Sequence, residues 1–296
     1  MQVIRAESAG FCMGVSLALR RLNQALEARQ QLENSGAARS GARLYTIGPI
    51  IHNPQLVREY EERGALCLRD LSGLQAGDTA VIRAHGLPRQ VEDELRALGV
   101  EVVDATCPRV KAAQLAIRKA SQGGAELLLF GEAEHPEVKG LLSYAEHGAT
   151  VFGSLDELEE IFLSRKISLA DKFFLAAQTT QDKEIFSEAR EFVKRVSGKD
   201  VTVLETICDA TKERQDEVSE LAGRVRSMVI VGGLNSGNTT RLADIARGMG
   251  VFTLHCENGY TIPLDKLKEL QPVGLSAGAS TPDEQINSVE ELLIRA

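Results

Sequence analysis

Three of the five cysteines lie in short segments whose residue types could hold a metal centre. Cys12 has a glycine two residues away on each side, Cys107 precedes a proline and Cys208 precedes an aspartate, and each comes just before a helix-like stretch. The helix dipole and the first N–H groups of a helix stabilise a thiolate there. Burial as a small apolar side chain is the common alternative for a cysteine, and Cys67 and Cys256 fit that alternative.

The spacing of these three cysteines favours an iron–sulfur cluster over structural zinc. Structural zinc takes four ligands, usually from closely spaced pairs, and the sequence contains no Cys-x-x-Cys pair. A four-iron cluster normally has four cysteine ligands, so three would leave one iron open. By analogy with catalytic zinc sites, an open position indicates chemistry and not electron relay alone.

Three of the five histidines could line a pocket for an anion. His52, His85 and His135 each follow a strand-like run, and imidazoles near a phosphate can carry a positive charge. His147 and His255 lack this context, and we interpret them as structural.

Further polar groups occur in the same kind of position. Glu137 could deliver a proton in a closed site, or it could equally stabilise the start of a helix. The segments 235–240 and 278–282 offer backbone N–H, hydroxyl and amide donors to phosphate oxygens, or act as ordinary helix caps. The chain has no Walker motif and no Gly-x-Gly-x-x-Gly, the usual signals of nucleotide binding.

The elements that must position these residues alternate between short apolar strands and amphipathic helices. Apolar runs at 44–48, 80–84, 100–103, 127–131, 173–177 and 228–232 predict strands. Periodic stretches at 15–32, 55–63, 110–121, 183–196, 213–225 and 240–249 predict helices. This alternation is typical of α/β sheets, which bind ligands where strands end and helices begin.

Length and charge narrow the possibilities further. A chain of 296 residues is expected to form two or three domains. The three cysteines recur about every hundred residues, the size of one small α/β domain, which predicts three similar domains. The net charge of −8 disfavours general nucleic-acid binding. No apolar run is long enough to cross a membrane and the N-terminus has no signal-peptide layout, so we expect a cytoplasmic protein.

Taken in order, the motifs resemble those of the 4-hydroxy-3-methylbut-2-enyl diphosphate reductases, which end the methylerythritol phosphate route to isoprenoids. The resemblance runs through essentially the whole chain. The matching segments are Gly10-Phe11-Cys12, Gly48 to Pro54, Arg83 to Gly86, Asp104 to Pro108, His135 to Val138, Gln178 to Thr180, Ile207 to Thr211, Asn235 to Asn238 and Ala277 to Ser280.

The resemblance implies a trefoil of three similar small α/β domains around a central [4Fe–4S] cluster. The ligands would be Cys12, Cys107 and Cys208, with one open iron. We place the domains at 13–106, at 107–206, and at 207–296 joined by the N-terminal strand 1–12.

It also implies the residues that act on a small allylic diphosphate substrate. Glu137, Thr179 and His135 would be catalytic, with Glu137 relaying protons. The substrate would be held by His52, His85, His135, Thr179, Ser236, Gly237, Asn238 and Ser280. Ferredoxin or flavodoxin would supply two electrons, and the products would be isopentenyl and dimethylallyl diphosphate.

One departure and two alternatives remain. Many members have Ser-Ser-Asn where this chain has Ser236-Gly237-Asn238, so one hydroxyl is missing, although a glycine N–H can approach a phosphate closely. A hydro-lyase also uses a cluster with an open iron, but it would need no electron donor. A cluster-based sensor would show no turnover.

Overall fold

The computed structural model describes residues 1–36, 41–164, 172–198 and 201–296. In chain order the described strands are β1 (Val3–Arg5), β2 (Leu44–Ile47), β3 (Ala65–Leu68), β4 (Thr79–Ile82), β5 (Glu101–Asp104), β6 (Glu126–Phe130), β7 (Ala149–Phe152), β8 (Phe173–Ala177), β9 (Thr202–Val203), β10 (Ser227–Val231), β11 (Phe252–Cys256) and β12 (Val273–Ala277). The described helices are α1 (Met13–Asn34), α2 (Pro54–Glu62), α3 (Arg89–Ala97), α4 (Pro108–Ser121), α5 (Pro136–Leu142), α6 (Leu155–Leu163), α7 (Lys183–Ser197), α8 (Asp209–Ala222), α9 (Gly237–Gly248), α10 (Leu264–Glu269) and α11 (Asp283–Arg295).

The strands form three four-stranded parallel sheets. We name each sheet by the cysteine that follows the edge strand β5, β9 or β1. The Cys107 sheet has the order β3-β2-β4-β5, the Cys208 sheet has the order β7-β6-β8-β9, and the Cys12 sheet has the order β11-β10-β12-β1. All the pairings are parallel. The predicted α/β class with three similar sheets is therefore confirmed.

The three sheets share one strand order. In each, the first strand is internal, the second lies at one edge, and the third and fourth follow on the other side of the first. In the Cys12 sheet the fourth strand is β1 from the N-terminus, where Val3 pairs with Val273. Strands that bury both faces have apolar residues at successive positions, as in the fully buried β10 and β12.

The described chain divides into two compact units. One unit consists of residues 1–16, 51–59 and 209–296 and contains the Cys12 sheet. The other consists of residues 17–50 and 60–208 and contains the Cys107 and Cys208 sheets. Each sheet falls within one of the three domains that we expected, but their boundaries and their trefoil arrangement stay predictions.

Apolar side chains cover the sheets on both faces. On one face of the Cys12 sheet, Val229 and Leu275 pack with Leu293, while Ile230 on the other face packs with Leu242. In the Cys208 sheet, the stacked rings of Phe130 and Phe152 lie 5.4 Å apart between their centroids. No helix among the described residues has the length and apolar content needed to span a membrane.

Candidate functional site

Every segment that the sequence marked for chemistry lies between the end of a strand and the first turn of the next helix. Cys107 comes between β5 and α4, His135 between β6 and α5, and Ser236 between β10 and α9. Because all strands in a sheet are parallel, these loops share the carboxyl edge of their own sheet. The sheets thus provide rigid supports for side chains that are far apart in sequence.

The three candidate ligand cysteines make the same backbone contact in their respective sheets. The N–H of Cys12 donates to Ala279 O at 3.2 Å, that of Cys107 to Ala84 O at 2.9 Å, and that of Cys208 to Thr179 O at 3.0 Å. Each acceptor lies at or one residue before a predicted substrate or catalytic residue: Ser280, His85 and Thr179. One hydrogen bond therefore links each cysteine loop to the neighbouring polar loop of its own sheet.

The thiol of Cys12 also accepts a hydrogen bond. The N–H of Val15, in the first turn of α1, lies 3.4 Å from Cys12 Sγ. Backbone N–H groups directed at sulfur stabilise the thiolate form that metal ligation requires. Cys12 belongs to one compact unit and Cys107 and Cys208 to the other, so the convergence of the three thiolates stays a prediction.

The two remaining cysteines differ from these three in position and chemistry. Cys256 is the last residue of β11, and burial raises the pKa of its thiol to about 11. Cys67 lies within β3, where burial again raises the thiol pKa, against the lowering effect of a hydrogen bond from Thr46. Neither thiol is suited to ligate metal as a thiolate near neutral pH, in agreement with their interpretation as packing residues.

Glu137 is the most deeply buried acid of the candidate site, with 2% of its surface exposed. Both of its carboxylate oxygens accept hydrogen bonds from Thr179. The backbone N–H of Thr179 lies 2.7 Å from Oε1, and its hydroxyl lies 2.9 Å from Oε2. The predicted pairing of Glu137 with Thr179 in one site is therefore present in the Cys208 sheet.

Burial controls the acidity of Glu137. It raises the pKa of this carboxyl to about 7, against the lowering effect of the two Thr179 hydrogen bonds. A carboxyl group with such a pKa is partly protonated at neutral pH and suited to act as a general acid. This favours the proton-relay interpretation of Glu137 over a helix-start role alone.

His135 caps α5 and its ring is held on one side. Its Nδ1 accepts a hydrogen bond from the Glu137 N–H at 3.1 Å, so in the neutral imidazole the hydrogen is on Nε2. The ring of His85 packs edge-on against that of His135, with 5.5 Å between the centroids. The structure thus brings two of the three predicted histidines together within the second compact unit.

The segment Ser236 to Asn238 forms the N-terminus of α9. The hydroxyl oxygen of Ser236 caps the helix, accepting from the Thr239 N–H at 3.4 Å and from the Thr239 hydroxyl at 2.9 Å. Asn238 is 6% exposed, and its buried Nδ2 has no hydrogen-bond partner among the described residues. A buried donor without a partner is costly, which indicates that a ligand accepts from it. Gly237 is the first helical residue.

His52 and Ser280 are joined through their backbones in the first compact unit. The Ser280 hydroxyl donates to His52 O at 3.1 Å, and Asn53 Nδ2 donates to Ser280 O at 3.1 Å. Asn53 also caps α2, since its Oδ1 accepts from the N–H groups of Gln55 and Leu56. The predicted Ser280 hydroxyl is therefore available to a ligand only if it leaves His52 O or accepts through its oxygen.

Gln178 contacts two of the candidate loops, and the sequence analysis quoted it in a motif but assigned it no role. Its side chain is fully buried; its Oε1 accepts from the Glu132 N–H at 3.1 Å, and its Nε2 donates to the Thr180 hydroxyl at 3.0 Å. It thereby ties the β6–α5 loop, which leads into the helix that carries Glu137, to the β8–α7 loop, which carries Thr179. A glutamine placed directly after a buried apolar strand was the available signal.

The donor set fits an iron–sulfur cluster better than other metals. Thiols at helix starts are the ligand type that such clusters take, and none of the five cysteines forms a disulfide. The Val15 N–H donates to Cys12 Sγ, and hydrogen bonds of this kind to ligand sulfurs tune the reduction potential of a cluster.

A family model described as "LytB protein" matches residues 3–294 of the chain. A relative from Nitratidesulfovibrio vulgaris, named 4-hydroxy-3-methylbut-2-enyl diphosphate reductase, is 53% identical over 293 residues, which are 99% of each chain. A solved structure of (E)-4-hydroxy-3-methyl-but-2-enyl diphosphate reductase, whose title calls it the terminal enzyme of the non-mevalonate pathway, has 37% identity, full coverage of both chains and a TM-score of 0.67. A reductase structure from Plasmodium falciparum has 22% identity and a TM-score of 0.88 over 99% of this chain and 87% of that one, which supports the fold alone.

Proposed function

The chain belongs to the LytB family, and we propose that it reductively removes the hydroxyl group of 4-hydroxy-3-methylbut-2-enyl diphosphate to give isopentenyl and dimethylallyl diphosphate. The observation that carries this proposal is a hydrogen bond that recurs in all three sheets, from the backbone N–H of a candidate ligand cysteine to a neighbouring polar loop. In each sheet one backbone hydrogen bond joins a candidate ligand to a loop with a candidate substrate or catalytic residue. A metal centre and a substrate-binding surface built on the same strand ends are what such chemistry needs.

We assign the cluster to Cys12, Cys107 and Cys208. A bound [4Fe–4S] cluster with three such ligands would supply two electrons, one at a time, and one open iron that polarises the hydroxyl oxygen. The chain contributes the thiolates at helix starts, where the dipole and N–H groups favour them.

Glu137 relays the two protons that the two-electron reduction consumes, one to the departing hydroxyl and one to the allylic carbon skeleton of the product. Its carboxyl is protonated in a large fraction of molecules at neutral pH because burial raises its pKa to about 7. When Glu137 is protonated, the Thr179 hydroxyl can accept from Oε2 and direct its own hydrogen outward. Protonation of the leaving oxygen lets water depart in place of hydroxide, which lowers the barrier to breaking the C–O bond.

The diphosphate is held by donors that the fold has fixed in advance. The N-terminus of α9 directs its first N–H groups and dipole at an anion, and Asn238 Nδ2 adds a buried donor. The Nε2–H of His135 adds another in the second compact unit. Binding energy from this remote group positions the reacting carbon. His52, His85, Ser236, Gly237 and Ser280 complete the proposed binding set.

The test is turnover by anaerobically reconstituted protein with and without a chemical reductant. The proposal predicts an intact cluster and products that form only when reductant is present. Turnover without reductant would indicate a hydro-lyase. An intact cluster with no turnover would indicate a sensor or a different substrate. Ferredoxin or flavodoxin is the proposed physiological donor, and replacing the chemical reductant with either protein tests that step separately.

A further inference from the structure

A buried arginine joins the loop before Cys12 to the helix that follows Cys208. Arg214 lies in α8 and is 5% exposed. Its Nη2 donates to Gly10 O at 2.8 Å, and its Nη1 donates to Ala210 O at 2.9 Å. Gly10 is two residues before Cys12 in the sequence, and Ala210 is two residues after Cys208. One guanidinium group therefore contacts the backbone next to two of the three candidate ligands.

A second residue of α8 fixes the same loop further upstream. The carboxylate of Glu217 accepts from the N–H of Glu7 at 2.5 Å and from the N–H of Ser8 at 2.9 Å, and it also accepts from the Ser8 hydroxyl. Burial would raise the pKa of Glu217, but the hydrogen bonds from Ser8 and Glu7 and the charge of Arg214 together lower it. Glu217 therefore remains an anion that holds the loop across the neutral pH range.

The loop itself has little freedom to adjust. Gly10 has φ of +113°, which residues with a side chain rarely adopt, and a Cβ there would lie 3.2 Å from Asp283 Oδ1. Beyond Gly10, the N–H of Cys12 is bonded to Ala279 O. The clamp of Arg214 and Glu217 thus acts on a segment whose other end is already fixed to the Cys12 sheet.

We propose that Arg214 is a positioning residue for the iron–sulfur centre. It fixes the backbone at Gly10 and Ala210, each two residues along the chain from a candidate ligand, and its buried positive charge raises the reduction potential of the cluster. This inference rests on the proposed function, because it requires the cluster. A cluster gains negative charge on reduction, and a fixed cation stabilises the reduced form more than the oxidised one. Mutation of a residue that orients metal ligands without binding the metal itself typically lowers metal affinity by about 10- to 100-fold.

The experiment compares reconstituted holoprotein of the wild type with R214Q and R214K. Two quantities are measured: the rate of iron loss to an excess of chelator, and the midpoint potential from a redox titration followed by electron paramagnetic resonance. We expect R214Q to take up a cluster, to lose iron about tenfold faster and to have a lower midpoint potential. R214K keeps the charge without the paired hydrogen bonds, so it should lose iron faster than wild type but recover most of the potential.

The matched control is R224Q. Arg224 lies just beyond the end of α8, where it pairs with Glu220 at 3.5 Å and its side chain is 62% exposed. R224Q therefore changes the net charge by the same amount as R214Q but removes no contact with the loop before Cys12. Its iron loss and potential should equal those of the wild type. If R214Q folds poorly, E217Q tests the clamp while the charge of Arg214 and its two backbone hydrogen bonds are retained, and faster iron loss is expected.

Equal iron-loss rates and potentials in R214Q and wild type would overturn the inference, even if R214Q melted at a lower temperature. A lower melting temperature alone would indicate a purely structural arginine. Wild-type protein that takes up no cluster would instead overturn the proposed function on which the inference depends.

Discussion

The Cys208 sheet and the Cys12 sheet differ in the hydrogen bonding of their polar side chains. The comparison concerns the segments that follow the first and third strands of each sheet, up to the first turn of the next helix. In the Cys208 sheet these segments carry Glu137 and Thr179, and both carboxylate oxygens of Glu137 accept hydrogen bonds, one from the Thr179 backbone N–H and one from its hydroxyl. In the Cys12 sheet they carry Asn238 and Ser280. There the hydroxyl bonds to a backbone carbonyl, and the buried amide nitrogen of Asn238 has no partner among the described residues.

The difference shows how one strand order supports two kinds of chemistry. Burial raises the pKa of the Glu137 carboxyl to about 7, against the lowering effect of its hydrogen bonds with Thr179, and this pKa suits proton transfer. A donor left unpaired at a helix N-terminus suits the binding of an anion. We therefore expect changes in the Cys208 sheet to alter kcat and its pH dependence, and changes in the Cys12 sheet to alter KM.

The largest expected effect is that of Glu137→Gln. Glutamine keeps the shape and can still accept from Thr179, but it cannot supply a proton to the leaving oxygen. We expect kcat to fall by roughly 10²- to 10⁴-fold, the usual contribution of a general acid. Steady-state assays with excess reductant measure this, and the iron content and substrate affinity should remain those of the wild type. Turnover at the wild-type rate would remove Glu137 from the proton path.

Asn238→Ala should act on binding. Removal of the amide deletes a hydrogen bond to a charged group, worth about 1.5–3 kcal/mol, so we expect KM to rise by about tenfold or more while kcat changes little. The matched control is Asn235→Ala, since Asn235 is exposed in the same loop. An equal rise in KM for both variants, or a fall in kcat alone for Asn238→Ala, would contradict the division between the two sheets.

Thr179→Val should shift the pH dependence. The hydroxyl of Thr179 stabilises the ionised form of Glu137, so its removal raises the pKa of that carboxyl further. Because the protonated form is active, activity falls as pH rises through this pKa, near 7 in the wild type. We expect the alkaline limb of kcat/KM to move to higher pH, with a fall in kcat of about tenfold from loss of the relay hydroxyl. A limb at an unchanged or lower pH would be inconsistent with this role.

The smallest expected effect is that of Gly237→Ser, which restores the hydroxyl that many relatives carry. Gly237 is not among the glycines with positive φ, so serine is compatible with its backbone. One added hydrogen bond of about 1 kcal/mol should lower KM roughly fivefold. Gly237→Ala adds a carbon without the hydroxyl and serves as the control; a similar change in both would mean that the hydroxyl makes no contact.

The strand-like runs and helical periodicity in the sequence predicted the α/β class and six of the strands. They missed edge strands such as β3 and β7, which have only four residues each and are partly exposed. They also missed β9, which has two residues. The placement of β1 beside β12 depends on contacts between the two ends of the chain, which local patterns do not contain.

The candidate site was predicted to a larger extent, because residues such as Cys107, His135 and Ser236 stand next to strand ends and helix caps that can be read locally. The pairing of Glu137 with Thr179 was implied only by the family resemblance, since the two are far apart in sequence. Arg214 and Glu217 lie inside a helix among other charged residues, where nothing in the sequence distinguishes side chains that contact the loop before Cys12 from exposed ones.

The measurement that tests the central claim most directly is the iron and sulfide content of anaerobically reconstituted protein. It compares the wild type with Cys107→Ser and, as a matched control, Cys67→Ser. Wild type and Cys67→Ser should each bind about four iron and four sulfide per chain, and Cys107→Ser should fall well below that. A full count in Cys107→Ser, or no iron in the wild type, would contradict the assignment of the cluster to Cys12, Cys107 and Cys208.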